Sequence, residues 1–149
     1  MRKNENEYRF YGAYEINARP IRSEYSFIAD PRELYDRLSR CWCALTCAPR
    51  MRERWNEENK TLGQCSITAF LAQDIFGGDV YGVPLGDGNY HCFNVVGDVA
   101  FDLTSEQFGV KTLNYSFDYP QSRDVHFAKQ EKKERYETLK RLLLVECSK

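Results

Sequence analysis

One stretch of the chain decides its fold: residues 63–78, which read GQCSITAFLAQDIFGG. Apolar side chains fall on nearly every side of a helix drawn through residues 65–76, so this helix is expected to be buried. The two glycines that follow the last apolar residue are expected to end it. Cys65 therefore stands in the first turn of a buried helix.

Three short runs of strand-forming residues follow this helix, at residues 79–85, 90–96 and 99–103. Gly97-Asp98 separates the last two runs by two residues, which is the spacing of a tight hairpin. A buried helix packed on an antiparallel meander predicts an α+β domain with flanking helices.

The 149 residues are predicted to form one domain. An aromatic-rich arm is expected over residues 1–29, the core over 30–128, and a closing amphipathic helix over 129–149. Within the arm, short strands are expected at residues 8–11 and 26–28.

Two helix starts flank the central stretch. Asp30-Pro31 pairs an N-cap residue with proline at the first helical position, and Ala48-Pro49 is expected to end that helix. A charged helix or surface loop is expected over residues 50–60. Thr104 begins a capping-box pattern, which predicts a short helical turn after the third strand.

Composition excludes several classes of function. The 21 basic and 22 acidic side chains nearly cancel, so no general attraction to nucleic acid or to a membrane surface is expected. The first residues lack the apolar core of a signal peptide. We therefore expect a cytoplasmic protein whose six cysteines are reduced thiols or metal ligands rather than disulfides.

Cys65, His91 and Asp102 fill the three roles of a thiol-based active site. The cysteine attacks, the histidine takes its proton, and the aspartate orients the imidazole. A helix N-terminus also lowers a thiol pKa. Each residue has a simpler alternative: a buried inert cysteine, a histidine bonded at a sheet surface, and a turn-forming aspartate.

Three further residues are expected to support this site. Gly63 would let backbone or substrate approach closely, and the Gln64 side chain could donate to a substrate oxyanion. Asn94 lies on the opposite face of its strand from His91, so it is given a supporting role at most. His126 falls in an irregular tail and is disfavoured as the catalytic histidine.

A set of spaced residues lies within positions 42–108, namely Gly63-Gln64-Cys65, Thr68-Ala69, Gln73-Asp74, Gly77-Gly78, His91 with Asn94, Asp102-Leu103-Thr104 and Gln107-Phe108. This set resembles the YunG-like bacterial proteins, a family of unassigned function. The order of cysteine, histidine and aspartate is also similar to the papain-like and transglutaminase-like superfamily, which implies that fold for the core. Ser66 follows the cysteine where papain-type peptidases commonly carry tryptophan, which argues against peptidase activity more than against thiol chemistry.

Three functions follow from these observations. The first is an enzyme that forms a thioester on Cys65 and acts on a peptide, a protein or a small amide or acyl compound, as a peptidase, deamidase, transglutaminase or acyltransferase, without metal or cofactor. The second is a non-catalytic module that binds a peptide or protein. The third is a redox or metal-responsive protein that uses Cys41, Cys43 and Cys47, although their spacing is not that of a zinc knuckle.

Overall fold

A computed structural model of the chain describes residues 7–145. Four helices and three strands make up its regular structure, namely α1 (Pro31–Leu38), α2 (Cys65–Phe76), β1 (Asp79–Pro84), β2 (Tyr90–Val96), β3 (Val99–Phe101), α3 (Arg123–Phe127) and α4 (Gln130–Val145). The strands form one antiparallel sheet in the order β1-β2-β3. The predicted mixed α+β class is confirmed.

Strand β2 is the centre of the sheet and carries the candidate histidine. His91 pairs with Val83 of β1, and Asn94 pairs with Phe101 of β3. The turn between β2 and β3 places Asp98 at φ 67°, a left-handed conformation that short Asp side chains tolerate. This tight hairpin brings the chain after β3 back beside β2.

Helix α2 packs between the sheet and α4. Its middle is buried on all sides, and Phe70, Leu71 and Ile75 are each 0% exposed. Burying a side chain of this size contributes about 1.5–3 kcal/mol relative to leaving it exposed. Asn94 Nδ2 donates to the Ala69 carbonyl oxygen over 2.8 Å, which fixes the helix to β2.

The N-terminal arm packs on the domain but forms no regular strand at residues 8–11 or 26–28. Tyr11 makes a single bridge, in which the Asp102 N–H donates to its carbonyl oxygen over 2.9 Å. The second predicted strand is preceded by a 3-10 turn at Ser23–Tyr25 and is itself irregular. Phe10 stacks on Tyr35, with 5.1 Å between ring centroids. Aromatic packing, rather than strand pairing, holds the arm.

Helix α1 ends earlier than its apolar spacing predicted. The hydroxyl of Ser39 donates to the Tyr35 carbonyl oxygen over 2.8 Å, which turns the chain at the helix end. Trp42 then lies beyond the helix and donates from its indole N–H to Thr68 Oγ1 over 3.0 Å. The following residues run through 3-10 turns, including Pro49–Arg54. A long-range contact to α2 therefore replaces the last predicted turns of α1.

The cysteines do not all follow the expectation of reduced thiols. Cys43, Cys47, Cys65 and Cys92 are free, but Cys41 forms a disulfide. The prediction is therefore wrong for Cys41. Cys147 lies outside the described residues. The first six residues, on which the prediction about a signal peptide rests, also lie outside them.

Candidate active site

The entry to α2 places Cys65 at the first residue of the helix. Gly63, just before it, has φ +71°, and a Cβ there would lie 2.5 Å from Cys47 Sγ and 2.9 Å from the Ala48 nitrogen. The Ala48 N–H donates to the Gly63 carbonyl oxygen over 3.0 Å. The close approach expected at Gly63 is thus made by the chain's own backbone, which sets the position of Cys65.

His91 and Asp102 form a buried pair. His91 Nε2 lies 2.6 Å from Asp102 Oδ2, and each residue is 1% exposed. The Asp102 carboxylate also accepts from the Tyr115 hydroxyl at Oδ2 over 2.7 Å, and from the Thr104 N–H at Oδ1 over 3.1 Å. These donors satisfy the carboxylate in its ionised form, because an ionised carboxylate only accepts.

The His91 ring is held in one orientation. Since Nε2 is bonded to Asp102, Nδ1 is the nitrogen left for Cys65. The Phe108 ring packs edge-on against the imidazole, at 4.8 Å between centroids. Burial acts to lower the pKa of His91, but the charge and hydrogen bond of Asp102, together with Cys65, outweigh it and raise the pKa to about 10. The imidazole is therefore protonated at neutral pH.

The pKa of the Cys65 thiol is shifted in the direction that favours the thiolate. Interactions with the neighbouring Cys92 and His91 side chains, together with the charge of His91, lower this pKa although burial opposes the shift. The pKa of the Cys92 thiol is raised, first by its interaction with Cys65 and then by burial. Cys65 is therefore the more acidic of these two neighbouring thiols.

A cavity of about 800 Å³ opens in front of this pair. Cys65 and His91 lie on its wall, whereas Cys92 is 1% exposed behind them. Cys65 and Ser66 belong to the first turn of α2, where backbone N–H groups have no partner within the helix. Cys65 and Ser66 both line the cavity.

Comparison with known protein families gives a match that covers most of the chain. The YunG protein family matches residues 30–148. The chain belongs to this family. It is 42% identical over 55 residues to the Bacillus subtilis (strain 168) protein named "Uncharacterized protein YunG", a match that covers 37% of this chain and 47% of that relative. The match thus spans about half of the relative's length. No solved structure matches.

Two predicted supporting residues of this YunG-family chain lie away from the cavity wall. Gln64 is 0% exposed, and its Nε2 donates to the Cys43 carbonyl oxygen over 3.1 Å. Asn94 is 2% exposed, and its amide Nδ2 donates to the Ala69 carbonyl oxygen. Both side chains therefore bind backbone carbonyl oxygens of the chain itself, and in Asn94 this contact fixes α2 to β2.

His126 lies in a different place from the one that its sequence context suggested. It sits on α3, which is capped by Ser122, the side chain of which accepts from the Val125 N–H over 3.4 Å. His126 lines the same cavity as Cys65, together with Lys132 of α4. The serine cap was the one sequence signal for this helix.

Tyr115 is one of the residues of the site that sequence reasoning missed. It is 13 residues from Asp102 in the chain and belongs to a segment without regular structure. Its ring packs edge-on against Phe93, at 5.0 Å between centroids. Nothing in its local sequence marks it as a partner of the aspartate.

The metal-site alternative finds no support among residues 7–145, where no group of three or more metal-binding side chains is close enough to hold an ion. Burial raises the pKa of the Cys47 thiol, which disfavours the thiolate that a metal would need. Within the same residues, no helix is both long enough and apolar enough to cross a membrane.

Proposed function

We propose that this protein is a thiol-dependent enzyme that transfers or hydrolyses acyl groups through a thioester on Cys65. The observation that carries the proposal is the buried contact of 2.6 Å between His91 and Asp102, next to a cysteine at a helix N-terminus on a cavity wall. The same order of roles supports a distant relationship of the core to papain-like and transglutaminase-like enzymes.

The first half of the reaction begins with the Cys65 thiolate. Its sulfur attacks the carbonyl carbon of an amide or ester, and the carbonyl electrons move to the oxygen. The N–H groups of Cys65 and Ser66 would stabilise this oxyanion. As the tetrahedral intermediate collapses, the carbon–nitrogen or carbon–oxygen bond breaks and the His91 imidazolium gives its Nδ1 proton to the leaving group. A thioester and a neutral His91 remain.

The second half reverses these roles. Water or an amine attacks the thioester carbonyl while His91 Nδ1 takes the proton of the nucleophile. Collapse of the second intermediate breaks the carbon–sulfur bond and restores the thiolate–imidazolium pair. Asp102 keeps the imidazole in place throughout and favours its charged form, because its negative charge and its hydrogen bond stabilise the imidazolium.

The substrate class follows from this chemistry. We infer a peptide, a protein or a small amide or acyl compound, without a metal or cofactor. The cytoplasmic location, and the lack of nucleic-acid and membrane partners, stay predictions from composition. Gly63 lines the cavity and could contact the substrate, whereas the Gln64 side chain is buried away from it.

The test is to trap the thioester. The protein is mixed with excess 4-nitrophenyl acetate, quenched in acid and mapped by peptide mass spectrometry, with Cys65→Ala and Cys43→Ala as paired variants. We expect a burst of nitrophenolate and an acetyl group on Cys65, both lost in Cys65→Ala and kept in Cys43→Ala. Acetylation of Cys43 instead, or no burst in the folded wild type, would contradict the proposal, and a non-catalytic binding module would then be favoured.

A further inference from the structure

A second set of polar side chains lines the cavity on α3 and α4. Lys132 Nζ lies 2.9 Å from His126 Nδ1, and His126 Nε2 lies 2.8 Å from Gln121 Oε1. All three residues lie on the wall of the cavity that contains Cys65 and His91. The mechanism described above uses none of them.

The hydrogen bonds define the protonation of this set. The Gln121 carbonyl oxygen accepts, so His126 Nε2 carries the proton and Nδ1 is the acceptor for the Lys132 ammonium. Burial, and then the charge of Lys132, lower the pKa of His126 to about 4. His126 is therefore a neutral acceptor that holds one N–H of Lys132 and leaves the other two for a ligand.

Among the described residues Lys132 has no carboxylate partner, and it differs from Arg50 and Lys129, which also have none, in being partly buried rather than exposed. The ion pairs formed within residues 7–145 do not include it. Arg135, by contrast, pairs with Glu131 and donates to the Thr46 carbonyl oxygen over 3.1 Å. Lys132 is thus a partly buried cation fixed by a neutral group.

The side chains that line the cavity carry a net positive charge, the same sign as that of Lys132. Apart from the Cys65–His91 pair and the neutral His126, four basic and two acidic side chains line it, namely Arg50, Lys129, Lys132 and Arg135 against Asp118 and Glu131. A cavity of one predominant sign concentrates ligands of the opposite charge. A substrate with a negative group would therefore be favoured over a neutral one.

We infer that Lys132, held by His126, is a specificity-determining residue that binds a carboxylate on the acyl substrate of Cys65. The inference rests on the proposed function and narrows its substrate to an amide or acyl compound that carries a carboxylate near the reacting carbonyl. The single ammonium of Lys132 balances the single negative charge of a carboxylate, and its two available N–H groups can donate to the carboxylate oxygens.

The test compares two alkylating reagents of similar size, anionic iodoacetate and neutral iodoacetamide. Their second-order rate constants with Cys65 are measured near neutral pH and low ionic strength by peptide mapping. Loss of Lys132 also lowers the fraction of Cys65 that is ionised, which slows both reagents by the same factor. The ratio of the two rate constants therefore measures only the recognition of the negative charge on iodoacetate.

Three variants make the comparison specific. Lys132→Met removes the charge and keeps the side-chain stem, Lys132→Arg keeps the charge, and Lys133→Met removes the neighbouring lysine, which is exposed and does not line this cavity. Circular dichroism and thermal melting confirm that each is folded.

The expected result is a ratio of iodoacetate to iodoacetamide that falls roughly three- to tenfold in Lys132→Met, the effect of one charge a few ångströms away in a largely hydrated site. Lys133→Met and Lys132→Arg should keep the wild-type ratio. Equal ratios in wild type and Lys132→Met would overturn the carboxylate site while leaving the nucleophile assignment intact. Slow reaction of wild-type Cys65 with both reagents, at the rate of an ordinary thiol, would overturn the proposed function and the inference with it.

Discussion

His91 Nε2 and Asp102 Oδ2 lie 2.6 Å apart in a site where each residue is 1% exposed. A charge-assisted hydrogen bond of this kind is stronger than one between neutral groups. It fixes the ring so that Nδ1 is left for Cys65, and it keeps the imidazole protonated at neutral pH. The reactivity of Cys65 should therefore depend on the hydrogen bond between His91 and Asp102, although Cys65 takes no part in that bond.

Cys65 should be the free thiol that reacts first with iodoacetamide at neutral pH. Cys43 is the fair comparison, because both are partly exposed while Cys47 and Cys92 are buried. A thiolate reacts where a thiol does not, and Cys65, unlike Cys43, has an imidazolium beside it. Timed labelling with peptide mapping checks the order, and labelling of Cys43 before Cys65 would argue against the assignment.

Tyr115→Phe should lower stability while changing the chemistry little. The variant removes one donor from the Asp102 carboxylate, and losing a hydrogen bond to a charged group costs about 1.5–3 kcal/mol. The remaining contacts still hold His91, so the Cys65 alkylation rate should stay within about threefold of wild type. Tyr119→Phe is the control, since that side chain is 42% exposed. Urea unfolding should separate the two variants, and equal midpoints would show that the bond to Asp102 does not stabilise the fold.

Gly63→Ala should destabilise the entry to α2 by more than backbone strain alone. Gly88→Ala is the matched control, because Gly88 also has a positive φ, +87°, but has no atom within 4 Å of an added Cβ. Gly63 has both a positive φ and the close contact with Cys47 and Ala48. We expect a loss of about 1 kcal/mol for the control and at least twice that for Gly63→Ala. Similar losses in thermal or urea unfolding would mean that the chain at Cys47 moves aside freely.

His126 should make stability depend on pH in the acidic range. Its folded pKa of about 4 is depressed below the ordinary value near 6.5, so the unfolded chain takes up its proton first. The contribution is fully present above about pH 6.5 and is lost as the pH falls through about 4. His126→Gln should therefore flatten the rise in unfolding free energy over this window, and a wild-type minus variant difference that does not vary with pH would contradict the depressed pKa.

The sequence predicted those parts of the molecule that local pattern controls. Neighbouring residues alone indicate the apolar run of α2 and the Gly97-Asp98 hairpin. The order of Cys65, His91 and Asp102 along the chain is likewise read directly from the sequence. These patterns were enough to predict the helix and the two strands that carry the cysteine and the histidine.

Contacts between distant segments were beyond the reach of local pattern. The end of α1 depends on where Trp42 meets Thr68, and the role of Tyr115 depends on a loop folding over Asp102. Gln64 looked like an oxyanion donor because it precedes the cysteine, yet its amide is engaged by the Cys43 carbonyl oxygen. Such partners are fixed by tertiary packing and leave no periodic signal.

The most direct test of the thiolate–imidazolium pair is the alkylation rate of Cys65 as a function of pH in wild type, His91→Ala and Asp102→Ala, with circular dichroism to confirm folding. In wild type we expect a rate that stays high below neutral pH. In His91→Ala the rate should rise only with the pKa of an ordinary thiol, about 8.5, and Asp102→Ala should fall between the two, because the aspartate acts only through the imidazole. Three superimposable profiles, each following an ordinary thiol, would show that His91 and Asp102 do not serve Cys65.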